Sequence, residues 1–226
     1  MLAAAQTQCP EARQALETLC AAYWYPLYAY LRRKGHKPHE AEDLVQEFFA
    51  RRVVTKLIFR GIDPEAGTFR TWLLNSLQNL GLNERDRQQA QKRGGGQPHS
   101  SLDFQDAEGR YLVDPCHHLT PEKIYERTWA TTLLDHALAL LQTQYENEGK
   151  AAFFAELKCF LPGALRAQPY AEVARRLGKS EPALKMAVSR LRQQYGGLLR
   201  AEIRRTVSSP TEVREELQHL LAALAD

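Results

Sequence analysis

The segment 170–191, YAEVARRLGKSEPALKMAVSRL, restricts the fold more than any other part of the chain. Val173 and Leu177 share one face of a short helix, because residues four apart lie one above the other. Gly178 follows at the position where helices end in a left-handed residue, a conformation that costs glycine little. Ser180 can cap the next helix, whose first turn tolerates Pro182. Leu184, Val188 and Leu191 then make an apolar stripe, and the small Ala174 permits a close helix crossing. Together these features predict a helix-turn-helix. Opposite the stripe lie Pro182, Met186, Ser189 and Gln193, flanked by Lys185 and Arg190. Lys, Arg, Ser and Gln side chains can read base edges in a major groove. Arg175, Arg176 and Arg192 are placed instead for phosphates, which position a protein without specifying sequence. The competing reading is a helical hairpin that packs only on protein.

Charge alone would favour a solvated helical face, but its distribution also suits phosphate contacts. The net charge of the 226-residue chain is only +3, but it is unevenly spread. Residues 166–205 hold ten cations against the three acids Glu172, Glu181 and Glu202, whereas residues 208–226 hold Glu212, Glu215, Glu216 and Asp226 against Arg214. A concentrated basic segment is the footprint expected for phosphate contacts. The remaining composition is that of a soluble globular protein, with 44% hydrophobic and 25% charged residues. No run approaches the roughly 18 apolar residues of a membrane helix, and the N-terminus lacks the basic start and apolar core of a secretory signal. A cytoplasmic protein with no membrane contact is expected. Cys9, Cys20, Cys116 and Cys159 form no C-x-x-C pair, and the Cys116-His117-His118 cluster has no second pair at a zinc-site spacing, so no metal and no cofactor are expected.

Two all-helical domains joined by a flexible connection fit the pattern, with no strand and no internal repeat. Residues 1–91 read as one helical domain, 92–119 as a linker, 120–207 as the helix-turn-helix domain and 208–226 as an amphipathic helical extension. The linker begins with KRGGGQPHSS, a composition that favours neither helix nor strand. Thr120-Pro121-Glu122 opens a helix reaching about Tyr145, with a Thr cap, a Pro in the first turn and an acid near the positive helix end. A shorter helix spans about 150–160, the second motif helix runs from Ser180 to Tyr195, and Ser209-Pro210 opens the last helix with Val213, Leu217, Leu220, Leu221 and Leu224.

In the N-terminal part, AEDLVQEFF places Ala41, Leu44, Val45 and Phe48 on one helical stripe and leaves Asp43, Gln46 and Glu47 opposite. An acidic-amide face in a chain that also approaches DNA suggests a basic protein partner; the plainer alternative is a solvated face. Further on, GTFRTWLLNSLQN follows a Gly/Pro-broken loop at 60–67 and brings Thr68, Phe69, Arg70 and Trp72 to the start of a helix. Leu73, Leu77 and Leu80 fall on one side of it, and Asn75, Gln78, Asn79 and Asn83 on another, followed by Arg85 and Arg87. Amides beside aromatics and cations suit exposed bases, although Phe69 and Trp72, taken singly, suit a core better than a stacking platform.

AEDLVQEFF followed by GTFRTWLLNSLQN resembles region 2 of bacterial RNA polymerase sigma factors, and YAEVARRLGKSEPALKMAVSRLR resembles region 4. Their order, with no intervening region 3 domain, is similar to the extracytoplasmic-function group of sigma-70 factors. The resemblance implies that Asp43, Gln46 and Glu47 dock on the β′ coiled coil of core polymerase, with the β flap as a further contact. It implies −10 promoter contacts from Thr68, Phe69, Arg70, Trp72, Asn75, Asn79, Asn83, Arg85 and Arg87. The −35 contacts would come from Arg175, Arg176, Lys185, Met186, Ser189, Arg190, Arg192 and Gln193. An anti-sigma factor is a further implied partner. The tail from Ser208 to Asp226 continues past region 4 and departs from the simplest members; it is expected to be a regulatory, self-inhibiting helix that packs on region 4 or on region 2. A stand-alone helix-turn-helix regulator is the alternative function. An enzyme is not expected, because Glu40, Glu42, Asp43 and Glu47 lack a catalytic His or Lys partner.

Overall fold

The computed structural model describes residues 10–50, 68–88, 107–113, 118–162, 168–207 and 209–225, with the side chains of 10–19 and 81–88 left aside. The loop at 60–67, most of the 92–119 segment, Cys9, Cys116 and His117 lie outside the described residues. Those that are described form an all-α protein, with no strand among them. They divide into two compact units, Met1–Thr132 with Arg205–Asp226, and Leu133–Arg204.

The first unit is built round α1 (Pro10–Arg33), whose residues 25–31 are buried on every side. A helix buried all round needs neighbours all round, and several elements supply them. The helix α2 (Pro38–Phe48) packs on α1 through the fully buried Ala41, Val45 and Phe48, and also touches α3 (Phe69–Gln88). Its N-terminus is closed by Glu40, whose carboxylate accepts the Lys37 N–H at 3.0 Å. The helix α3 is capped by Thr68, whose hydroxyl accepts the Thr71 N–H at 3.3 Å, and buries Phe69, Leu73, Leu77 and Leu80.

Within the segment read as linker lies a short helix, α4 (Ala107–Val113), which packs on α1. Arg32 donates two hydrogen bonds to Glu108, at 2.7 and 2.8 Å, and the Tyr28 hydroxyl donates a third at 2.6 Å. Arg110 covers the Tyr25 ring at 4.0 Å. Seven residues cannot hold a helix alone in water, so these contacts hold it.

Thr120 caps α5 (Pro121–Asn147) as its sequence predicts, accepting the Lys123 N–H at 3.3 Å. Its residues Ile124, Tyr125 and Trp129 belong to the first unit, where Ile124 meets Ala29 and Leu119. The unit is completed from the other end of the chain by α9 (Pro210–Ala225), capped by Ser209, which accepts the Glu212 N–H at 3.3 Å. Here Val213 and Leu220 are buried, Leu217 and Leu224 are half-buried, and Leu221 is exposed.

The second unit contains the end of α5, α6 (Ala151–Leu157) with a 3-10 turn (Lys158–Phe160), α7 (Tyr170–Arg176) and α8 (Glu181–Arg204). Its core joins Leu141, Phe154, Leu157, Val173, Leu184, Val188 and Leu191. Tyr195 is buried too, and its hydroxyl donates to the Leu134 carbonyl at 3.2 Å; burial pushes that phenol up to about 12.

Candidate nucleic-acid interface

The turn between α7 and α8 shows how the second unit presents its surface. Gly178 has φ +62°, and the Gly178 and Lys179 N–H groups donate to the Arg175 and Ala174 carbonyls at 3.2 and 2.9 Å. That crossed pair is a Schellman ending, which satisfies the last carbonyls of α7. Ser180 then accepts the Ala183 N–H at 3.4 Å and starts α8. With Leu184, Val188 and Leu191 turned inward, Lys185, Met186, Ser189, Arg190 and Gln193 are all exposed. Met186 is 60% exposed. Lys185 lies 3.7 Å from Glu181 and 5.7 Å from the Tyr170 ring centre, while Arg175 is exposed.

Two cations read as phosphate contacts are exposed and are also engaged with protein. Arg176 donates to Glu156 at 2.7 and 3.0 Å and to Glu172 at 3.1 Å, with Gln168 as a further acceptor. Arg192 donates from two nitrogens to the Phe160 carbonyl, at 2.8 and 3.0 Å. Arg176 therefore braces α7 on α6, and Arg192 braces α8 on the 3-10 turn. Such bonds fix the angle at which the exposed face is offered. The sequence shows both cations but not the groups 20 and 32 residues away that hold them.

In the first unit, Asp43 is exposed on α2, and Gln46 and Glu47 are half-buried beside it. On α3, Asn75 and Asn79 are exposed, Thr68 and Trp72 are half-buried, and Phe69 is 4% exposed. Phe69 meets Tyr23 edge-on at 5.4 Å and stacks with Trp72 at 5.9 Å. The backbones of Asn83, Arg85 and Arg87 continue α3, but their side chains lie outside the described residues.

Arg70 is 5% exposed. Its guanidinium faces Glu216 of α9 at 3.3 and 3.5 Å, donates to Glu126 at 3.1 Å and lies 4.7 Å from the Trp129 ring centre. Its carbonyl accepts the Tyr125 hydroxyl at 3.0 Å, and His219 Nε2 lies 3.1 Å from the same Glu126 carboxylate. Tyr23, buried beside this group, has its phenol pushed up to about 12 by burial. Sequence reasoning offered Arg70 to DNA because nothing local marks a partner 146 residues away. The structure shows this cation held inside the protein.

Residues 21–91 match the family model of sigma-70 region 2. The match covers about a third of the chain, and within that third the chain is similar to sigma-70 region 2. All of α2 and α3, with the second half of α1, falls inside the region 2 segment. Comparison with curated proteins and with solved structures found no match. No helix of the described residues is long and apolar enough to cross a membrane.

Proposed function

We propose that the chain is a sigma factor of the extracytoplasmic-function kind, which binds core RNA polymerase in the cytoplasm and directs it to promoters. The observation that carries this reading is the pairing, in one chain, of a region 2 segment with an exposed basic helix-turn-helix face. On this reading Asp43, Gln46 and Glu47 meet the β′ coiled coil, with the β flap as a second contact. Asn75 and Asn79 face the −10 element, and Arg175, Lys185, Met186, Ser189, Arg190 and Gln193 meet the −35 duplex. Arg176 and Arg192 act by holding the reading helix in place. The protein supplies recognition and leaves catalysis to the polymerase.

Pull-down with core polymerase, followed by transcription from genomic fragments, tests the assignment. Reversing charge at the docking face by Glu47→Arg is expected to weaken polymerase binding by about tenfold or more, because it sets like charges opposite each other. Start sites should map to a shared pair of upstream elements. A protein that occupies DNA but neither binds core polymerase nor initiates anywhere would be a stand-alone regulator instead.

A further inference from the structure

Arg70 occupies the first turn of α3, beside Phe69 and Trp72 and about one and a half and two and a half turns before the exposed Asn75 and Asn79. Phe69 is buried against Tyr23. The half-buried Trp72 and the exposed Asn75 and Asn79, with the charge of Arg70, make a set suited to an unpaired nucleic-acid strand by stacking, hydrogen bonding and charge. In the structure that set is incomplete, because α9 takes the cation away. Glu216 is itself 5% exposed and presents both carboxylate oxygens to Arg70. A carboxylate facing a guanidinium side-on offers what a phosphate would offer, two oxygens to a planar fork.

Three features mark this contact as releasable. The Arg70–Glu216 distances of 3.3 and 3.5 Å are long beside the 2.7 and 2.8 Å of the Arg32–Glu108 pair in the same unit. The fully buried stripe of α9 is narrow, with Val213 and Leu220 as its apolar members. Arg70 also keeps Glu126 at 3.1 Å if Glu216 leaves, so departure does not strand a buried charge. The segment that seats Glu216 carries an excess of acids, the same sign as a phosphate backbone.

We propose that α9 is a self-inhibitory strap that competes with single-stranded nucleic acid for the first turn of α3, using Glu216 to hold Arg70. The proposal rests on the region 2 reading, since it takes α3 as a nucleic-acid surface. Competition of this kind is reciprocal: whatever the strap takes from strand affinity, the strand takes from strap affinity.

The test uses the full chain and a fluorescein-labelled, mixed-sequence single-stranded oligodeoxynucleotide, followed by anisotropy. Glu216→Gln removes the competing charge and is expected to tighten binding by about tenfold, the scale of one hydrogen bond to a charged group. Adding Arg70→Ala to Glu216→Gln should cancel the gain. Hydrogen exchange on the unaltered protein gives a second readout that needs no variant to fold. Saturating oligonucleotide should speed exchange in residues 210–225 and leave α2 unchanged. The proposal is overturned by a folded Glu216→Gln protein that binds no tighter, by a gain that survives loss of Arg70, by unchanged or slower exchange in α9, or by no strand binding in either form. Core polymerase pull-down separates the two readings: competition without polymerase binding sinks the sigma assignment and leaves the strap. Polymerase binding without competition does the reverse.

Discussion

Glu108 carries three charge-directed contacts in a partly solvated site, two from Arg32 and one from Tyr28. The Arg32 hydrogen bonds hold its carboxyl below the ordinary value of 4.5, against the opposing effect of burial. A carboxylate with a lowered folded pKa contributes stability that is complete above the unfolded value and is lost as pH falls through the folded one. Glu108→Gln should therefore destabilise the first unit by about 1 kcal/mol at neutral pH, since a solvated pair is worth little more. The gap should narrow below pH 4.5. Denaturant melts at neutral and acidic pH check this, and a gap independent of pH would mean that packing of α4, not the charge, was lost. Residue-scale roles were only half legible in advance. Lys185, Met186 and Gln193 could be placed on an outward face because a helix has one period. Arg70, Arg176 and Arg192 could not be placed, because whether a cation meets water, phosphate or carboxylate depends on elements far along the chain.

Among elements, what the sequence encodes locally is what it shows most clearly. Thr120, Ser180 and Ser209 each cap a helix as their side-chain chemistry predicts. Helix ends were less legible. The segment expected to form the second motif helix stops at Tyr195, and Gly196 and Gly197 follow it, each costing a helix interior about 1 kcal/mol. The helix instead continues to Arg204, since Leu199 and Ile203 extend the buried stripe of Leu191 and Tyr195 and more than offset that cost. Gly178 shows the opposite case, a glycine whose backbone angle no packing replaces. A Cβ at Gly178 meets nothing within 4 Å, so the cost of Gly178→Ala is conformational alone. About 1 kcal/mol of stability should be lost from the second unit. Thermal melting read by helical circular dichroism would show it. Equal stability would mean that the turn readily adopts another geometry.

At the scale of the molecule, the first unit is discontinuous, closed by a helix from the far end of the chain. Local pattern cannot reveal this. The stripe of Val213, Leu217, Leu220 and Leu224 shows that α9 needs a partner, and no periodicity says which. The chain nevertheless provides an internal reporter, because its three tryptophans, Trp24, Trp72 and Trp129, all lie in the first unit. Tryptophan fluorescence therefore follows that unit, while circular dichroism follows both. Leu220 is 2% exposed, and Leu220→Ala should cost about 2 kcal/mol, the low end for a buried leucine, because α9 is docked through a narrow stripe. In a denaturant titration the fluorescence midpoint should move to lower concentration, and the circular dichroism curve should retain a component at its original position. A fluorescence midpoint that stayed in place would mean that α9 contributes nothing to the first unit. The chain would then have to be read as a continuous N-terminal domain with a loosely attached tail, and Arg70 would need another reason to be buried.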